Sequence, residues 1–82
     1  MIYLAITPSG LNELLSRVNA DDAVWCGSDA ITEPDFKALA RPGLTRFIYA
    51  LGDRQLVDDA LSTIEEHHPG QVVWIEGATS AR

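Results

Sequence analysis

The sequence predicts a small α/β domain on a parallel four-stranded sheet, in the order β-α-β-α-β-α-β, with helices on both faces. Three observations carry this. Four short apolar runs, IYLAI (2–6), AVWC (23–26), RFIYAL (46–51) and VVWI (72–75), are rich in β-branched and aromatic residues. They lack the period-two alternation of a half-wet strand, as strands covered on both faces do. The segments between them repeat apolar residues at helical spacing. Finally, 82 residues leave room for only one core, since domains run from about 50 to 250 residues. The domain is expected over 1–76, with GATSAR (77–82) as a frayed tail of small and polar residues.

In chain order, Ile2 to Ile6 form the first strand and stop at Thr7-Pro8. SGLNELLSRVNA then sets Leu11, Leu14, Leu15 and Val18 at i, i+3, i+4 and i+7, a stripe that buries one helix face. Ser9 is the expected N-cap. AVWC is the second strand. TEPDFKALARPG is a short helix entered at Thr32 or Glu33, with Pro34 suited to its first turn and Pro42-Gly43 closing it. RFIYAL is the third strand. DRQLVDDALSTIEEHH carries Leu56, Val57, Ala60, Leu61 and Ile64 on one face, capped by Asp53 and stopped by Pro69-Gly70. VVWI is the fourth strand. Right-handed crossovers and a strand order of 2-1-3-4 set the first helix alone on one face and the other two opposite. One helix covers such a face poorly, so Tyr3, Trp25, Phe47, Tyr49 and Trp74 are candidates for a subunit contact. The alternative is that all five fill the core.

Composition excludes several classes of function. Twelve acidic and six basic residues give a formal charge of −6, which opposes direct binding to nucleic acid or anionic lipid. The expected associations are self-association or a protein partner, with no membrane. No apolar segment approaches the roughly 20 residues of a membrane span, the start has no basic region of a signal peptide, and the single cysteine suits a reducing compartment. The chain reads as cytoplasmic. It lacks the G-x-G-x-x-G and G-x-x-x-x-G-K-[ST] patterns, so no cofactor is expected. No Cys/His spacing suggests a metal.

Ligands of an open parallel sheet bind beyond the carboxyl ends of its strands. There the sequence places Ser9 and Gly10, then Cys26, Gly27 and Ser28, then Asp53 and Arg54. Ser9, Gly10, Gly27, Ser28, Asp53 and Arg54 are therefore candidates for a small-anion site, although turns demand the same residue types. Cys26 lies on that rim or one residue inside it; a buried or half-buried structural cysteine is the favoured reading, and Cys26 with Arg54 is the one candidate catalytic pair. A reactive thiol needs a lowered pKa, and Arg54 is the one cation the sequence offers it, while Asp29 acts the other way. His67 and His68 end the last helix on the far side, so no Cys/His or Ser/His/Asp set forms. The acidic pairs Asp21-Asp22, Asp58-Asp59 and Glu65-Glu66 read as solvated helix ends and faces.

The start MIYLAIT, an amphipathic helix, ADDAVWCGSDAI, a short helix, and TRFIYAL followed by GDRQLVDDAL resemble the small subunits of the DsrE/DsrF/DsrH sulfur-relay group, which include the TusB-like subunit. The resemblance covers Met1 to Leu61. It implies a small parallel α/β fold that assembles into hetero-oligomers passing a persulfide between cysteines. Catalytic members carry that cysteine in the loop after the third strand, where this chain has Gly52-Asp53-Arg54. The resemblance thus implies a partner subunit rather than a sulfur carrier. Three readings follow: a non-catalytic interaction module, a thiol-dependent carrier or enzyme using Cys26, and a small-anion-binding module.

Overall fold

The computed structural model describes residues 1–19 and 21–76; the expected tail, 77–82, lies outside them. The strands are β1 (Ile2–Ala5), β2 (Ala23–Cys26), β3 (Leu44–Arg46) and β4 (Val73–Ile75), and the helices are α1 (Pro8–Leu15), α2 (Glu33–Leu39) and α3 (Arg54–His67). All strand pairs are parallel, and Leu4 lies beside Trp25 on one side and Ile75 on the other. The α/β class and the element order are those the apolar runs predict.

The strand order is β3-β2-β1-β4, not 2-1-3-4. The reason lies in the third apolar run. RFIYAL overlaps the strand only at Arg46; β3 is Leu44-Thr45-Arg46, in which Leu44 is buried, Thr45 exposed and Arg46 half-buried, so two of its three residues are polar. A strand of that composition suits an edge rather than the centre. Phe47 and Leu51 instead pack into the core under α3, Tyr49 lies against it, and Ile48 is exposed. Apolarity at 46–51 is thus that of a connecting segment folded onto the sheet.

The order also redistributes the helices. Stepping from β1 to β2 to β3 in one direction by right-handed crossovers keeps α1 and α2 on the same face, and the return to β4 puts α3 on the other. Two cores follow. Ile2, Leu4, Ile6, Trp25, Phe47 and Leu51 meet Ala60 and Ile64 of α3. Ala5, Val24, Cys26, Ala30 and Leu44 meet Leu11 of α1, with Leu14, Leu15 and Phe36 packed around them. On the face covered by the single helix α3, Trp25, Phe47 and Tyr49 form a ring series with centroids 5.2 Å apart at each step. His67 and His68 close it over Trp25; His68 reaches the same ring because it sits past the helix end, at φ −135°.

Local signals explain the helix ends. Thr7, not Ser9, caps α1, because Pro8 then takes the first helical position, where a missing N–H costs nothing. Thr32 and Asp53 cap α2 and α3. Ala40 ends α2 in the left-handed region at φ 46°, where glycine is the usual occupant.

Candidate functional site

An order of 3-2-1-4 reverses between β1 and β4, and that reversal marks the crevice where open parallel sheets place ligands. In this chain Glu76, the residue after β4, fills it. Its Oε1 accepts from the Ile6 N–H at 2.6 Å and the Thr7 N–H at 2.8 Å, and its Oε2 accepts the Thr7 hydroxyl. Desolvation is the largest influence on this carboxyl and raises its pKa. The Thr7 hydroxyl and the Thr7 and Ile6 N–H groups together outweigh it, so the net shift is downward. The crevice holds an internal carboxylate where an external anion would be expected.

Glu76 divides the space around it into two clefts. One, about 470 Å³, lies over β4 beside α1 and is lined by Tyr3, Ser9, Gly10, Glu13, Leu14, Arg17 and Trp74. The other, about 320 Å³, lies at the start of α3 with Asp53 and Arg54. The six candidate anion-binding residues therefore do not converge. Ser9 and Gly10 line the first cleft and Asp53 and Arg54 the second, while Gly27 and Ser28 line neither. Gly27 is buried with Leu51 close against it, and Ser28 pairs through its backbone with Tyr49 and Arg46. Asp53 spends its carboxylate on the Gln55 N–H. Those residue types are at the rim for turn and cap geometry.

Cys26 does not lie on the rim. Its side chain is fully buried among Ala5, Leu11, Val24, Ala30 and Leu44 on the α1/α2 face. Burial pushes its thiol up to about 11, and the Arg46 guanidinium offsets only part of this. Arg54 is on the other face, at the start of α3, so the pairing of Cys26 with Arg54 is corrected to a neighbourhood with Arg46. That arginine is committed elsewhere: its Nε donates to the Ile31 carbonyl at 2.8 Å and its Nη2 to the Ser28 carbonyl at 2.9 Å. A thiol raised and shielded in this way has almost no thiolate at neutral pH. Among the described residues no group of three or more His, Cys, Asp or Glu is placed to hold a metal ion, and no helix is long and apolar enough to cross a membrane.

The aromatic candidates separate. Trp25 and Phe47 are buried core residues and Tyr49 packs on them, so these three leave the candidate interface. Trp74 does not: it is 55 % exposed, pairs in register with half-buried Tyr3, and shares its cleft. Val72 just before the strand and Ile75 within it are 72 % and 45 % exposed, so three of the six exposed large apolar residues among those described fall on β4 and its approach. Glu76 was not visible to sequence reasoning, because its partners are about 70 residues away. One trace existed. The third helical position after the Thr7 cap, where a Glu or Gln normally completes a capping box, is Gly10. No family model, no curated protein and no solved structure matches this chain.

Proposed function

We propose that the chain is a non-catalytic α/β module that works by association, and that the edge of β4 is where a second copy pairs. The observation that carries this is the unguarded edge itself. Among the described residues β4 has a partner on one side only, and neither it nor the two residues leading into it, Gln71 and Val72, bear a charge. Natural edges are normally blunted by charge, proline or cover.

Self-pairing is favoured by charge and by register. In a chain of net charge −6, like charges oppose most contacts between copies. At β4 they do not, because the nearest carboxylate, Glu76, is turned inward onto Thr7. The Glu76 N–H points to the Leu4 carbonyl of β1, so by alternation Val73 and Ile75 turn their backbone groups outward. An antiparallel pair about a two-fold through Trp74 then matches Val73 with Ile75 of the second copy. The two Trp74 residues become a non-hydrogen-bonded pair, with Cα atoms about 4.5 Å apart, on the face where each cleft has room for an indole.

The resemblance to sulfur-relay partner subunits offers another occupant of the same edge, a second small α/β subunit. A thiol carrier based on Cys26 has less support, given its burial and raised pKa; alkylation at pH 7 at least 100-fold slower than a free peptide thiol is the expected result. The test of the association reading is sedimentation from micromolar to millimolar protein. A dimer weakened by Trp74→Lys supports it. A monomer throughout, or a dimer indifferent to Trp74→Lys, overturns it.

A further inference from the structure

Thr7, Pro8, Ser9 and Gly10 open α1 as its N-cap and first three helical positions. Thr7 performs half of a capping box, its Oγ1 accepting from the Gly10 N–H at 3.1 Å. The other half is a carboxylate or amide at the third helical position that reaches back to the N-cap N–H. With glycine there, the chain has no local group to supply it. Glu76 supplies it from 69 residues along the chain, taking the Thr7 N–H at 2.8 Å. A β-carbon built on Gly10 would collide with that same carboxylate, so the bare third position is what leaves room. At the same time the Glu76 N–H donates to the Leu4 carbonyl at 2.8 Å. A single residue therefore closes both the helix cap and the end of the β1–β4 ladder.

We infer that Glu76 is a latch coupling the start of α1 to the seating of β4, so that the association edge is ordered only while this carboxylate sits on the Thr7 turn. Its consequence for association rests on the reading above; the latch itself rests on the hydrogen bonds. β4 is three residues long and paired on one side, so it can open as a local unit below the cost of global unfolding. Without the latch, what remains is the short ladder with β1 and the packing of Val73 on the α3-side core. The charged groups sharing the two clefts with Glu76 are Glu13 of α1 and Arg17 just past its end, and Asp53 and Arg54 at the start of α3. Glu13 and Arg17 pair with each other at 3.4 Å, and Asp53 caps α3.

The experiment is amide hydrogen exchange by NMR at pH 7 on the full chain, with Glu76→Ala, which removes both acceptors, and Gly10→Ala. The second variant keeps the acid and evicts it sterically, and alanine favours the helix, so it tests the latch even if Glu76→Ala folds poorly. The expected result in both is exchange at least tenfold faster at Trp74 and residue 76, whose N–H groups face β1, with Val24 and Trp25 of β2 unchanged. Unchanged exchange at β4 in Gly10→Ala, or equal acceleration in β2 and β4, overturns the latch. If β4 loosens but the parent chain is monomeric, the association reading alone fails; if the chain dimerises and β4 does not loosen, the latch alone fails.

Discussion

The two edges of the sheet are built on opposite plans. β3 is polar and tied down by its own side chain: Arg46 bonds the carbonyls of Ile31 and Ser28, binding the end of β3 to the turn between β2 and α2. β4 is apolar, exposed on Trp74 and Ile75 with Val72 exposed just before it, and held at its end by Glu76. On one edge the charge guards the strand and braces the neighbouring turn. On the other the charge is withdrawn to the inside, which steadies the strand and leaves its outer face free. Where a charge is aimed, more than whether it is present, decides whether an edge is closed or open to pairing.

Breaking the guarded edge should have the largest effect. Arg46→Ala leaves two carbonyls without their charged donor, and bonds of that kind contribute about 1.5–3 kcal/mol each, not additively. A loss of about 2–3 kcal/mol in urea unfolding is expected, with association unchanged. Glu76→Gln comes next. Part of this carboxylate faces solvent, which screens its interactions, so about 1–2 kcal/mol is expected.

Acid should erase that second difference. The folded pKa of Glu76 is lowered below 4.5, so its contribution is complete above the unfolded value and is lost as pH falls through the folded one. Unfolding free energies of the parent chain and Glu76→Gln should converge below that range. Asp22 is also held low, by the Asn19 N–H and the amino terminus; it is common to both chains and cancels in the difference.

Trp74→Lys places a charge at the centre of the open edge. A dimer weakened at least tenfold, or about 1.4 kcal/mol, is expected by sedimentation, while Ile48→Lys, 92 % exposed but off β4, should leave it unchanged. The smallest effect belongs to the run into β3. Ala40 holds a left-handed conformation at φ 46°, and Ala40→Gly should raise stability by about 0.5–1 kcal/mol through relief of that strain.

Local rules made much of the fold legible. The caps at Thr32 and Asp53, the stripes of α1 and α3 and the stops at Pro42-Gly43 and Pro69-Gly70 depend on neighbours within a turn or two. Those signals are written in adjacent residues. The third apolar run misled because burial, not strand geometry, selects for apolar residues: Phe47 and Leu51 belong to the buried core although they come from a connecting segment. The rim residues were legible as a set but not as a site, since turns and caps select the same types.

By itself the sequence determined an acidic single α/β domain, its order of strands and helices, and the absence of any phosphate-binding or metal-finger motif, because each depends on composition or short-range spacing. Tertiary structure alone decided the strand order, the sides the helices take, the placing of Arg46 rather than Arg54 beside Cys26, and the seating of Glu76 on Thr7. Each of these rests on contacts between residues distant in the chain. Their energies depend on where the backbone brings a donor and an acceptor within 3 Å, and no local pattern encodes that distance.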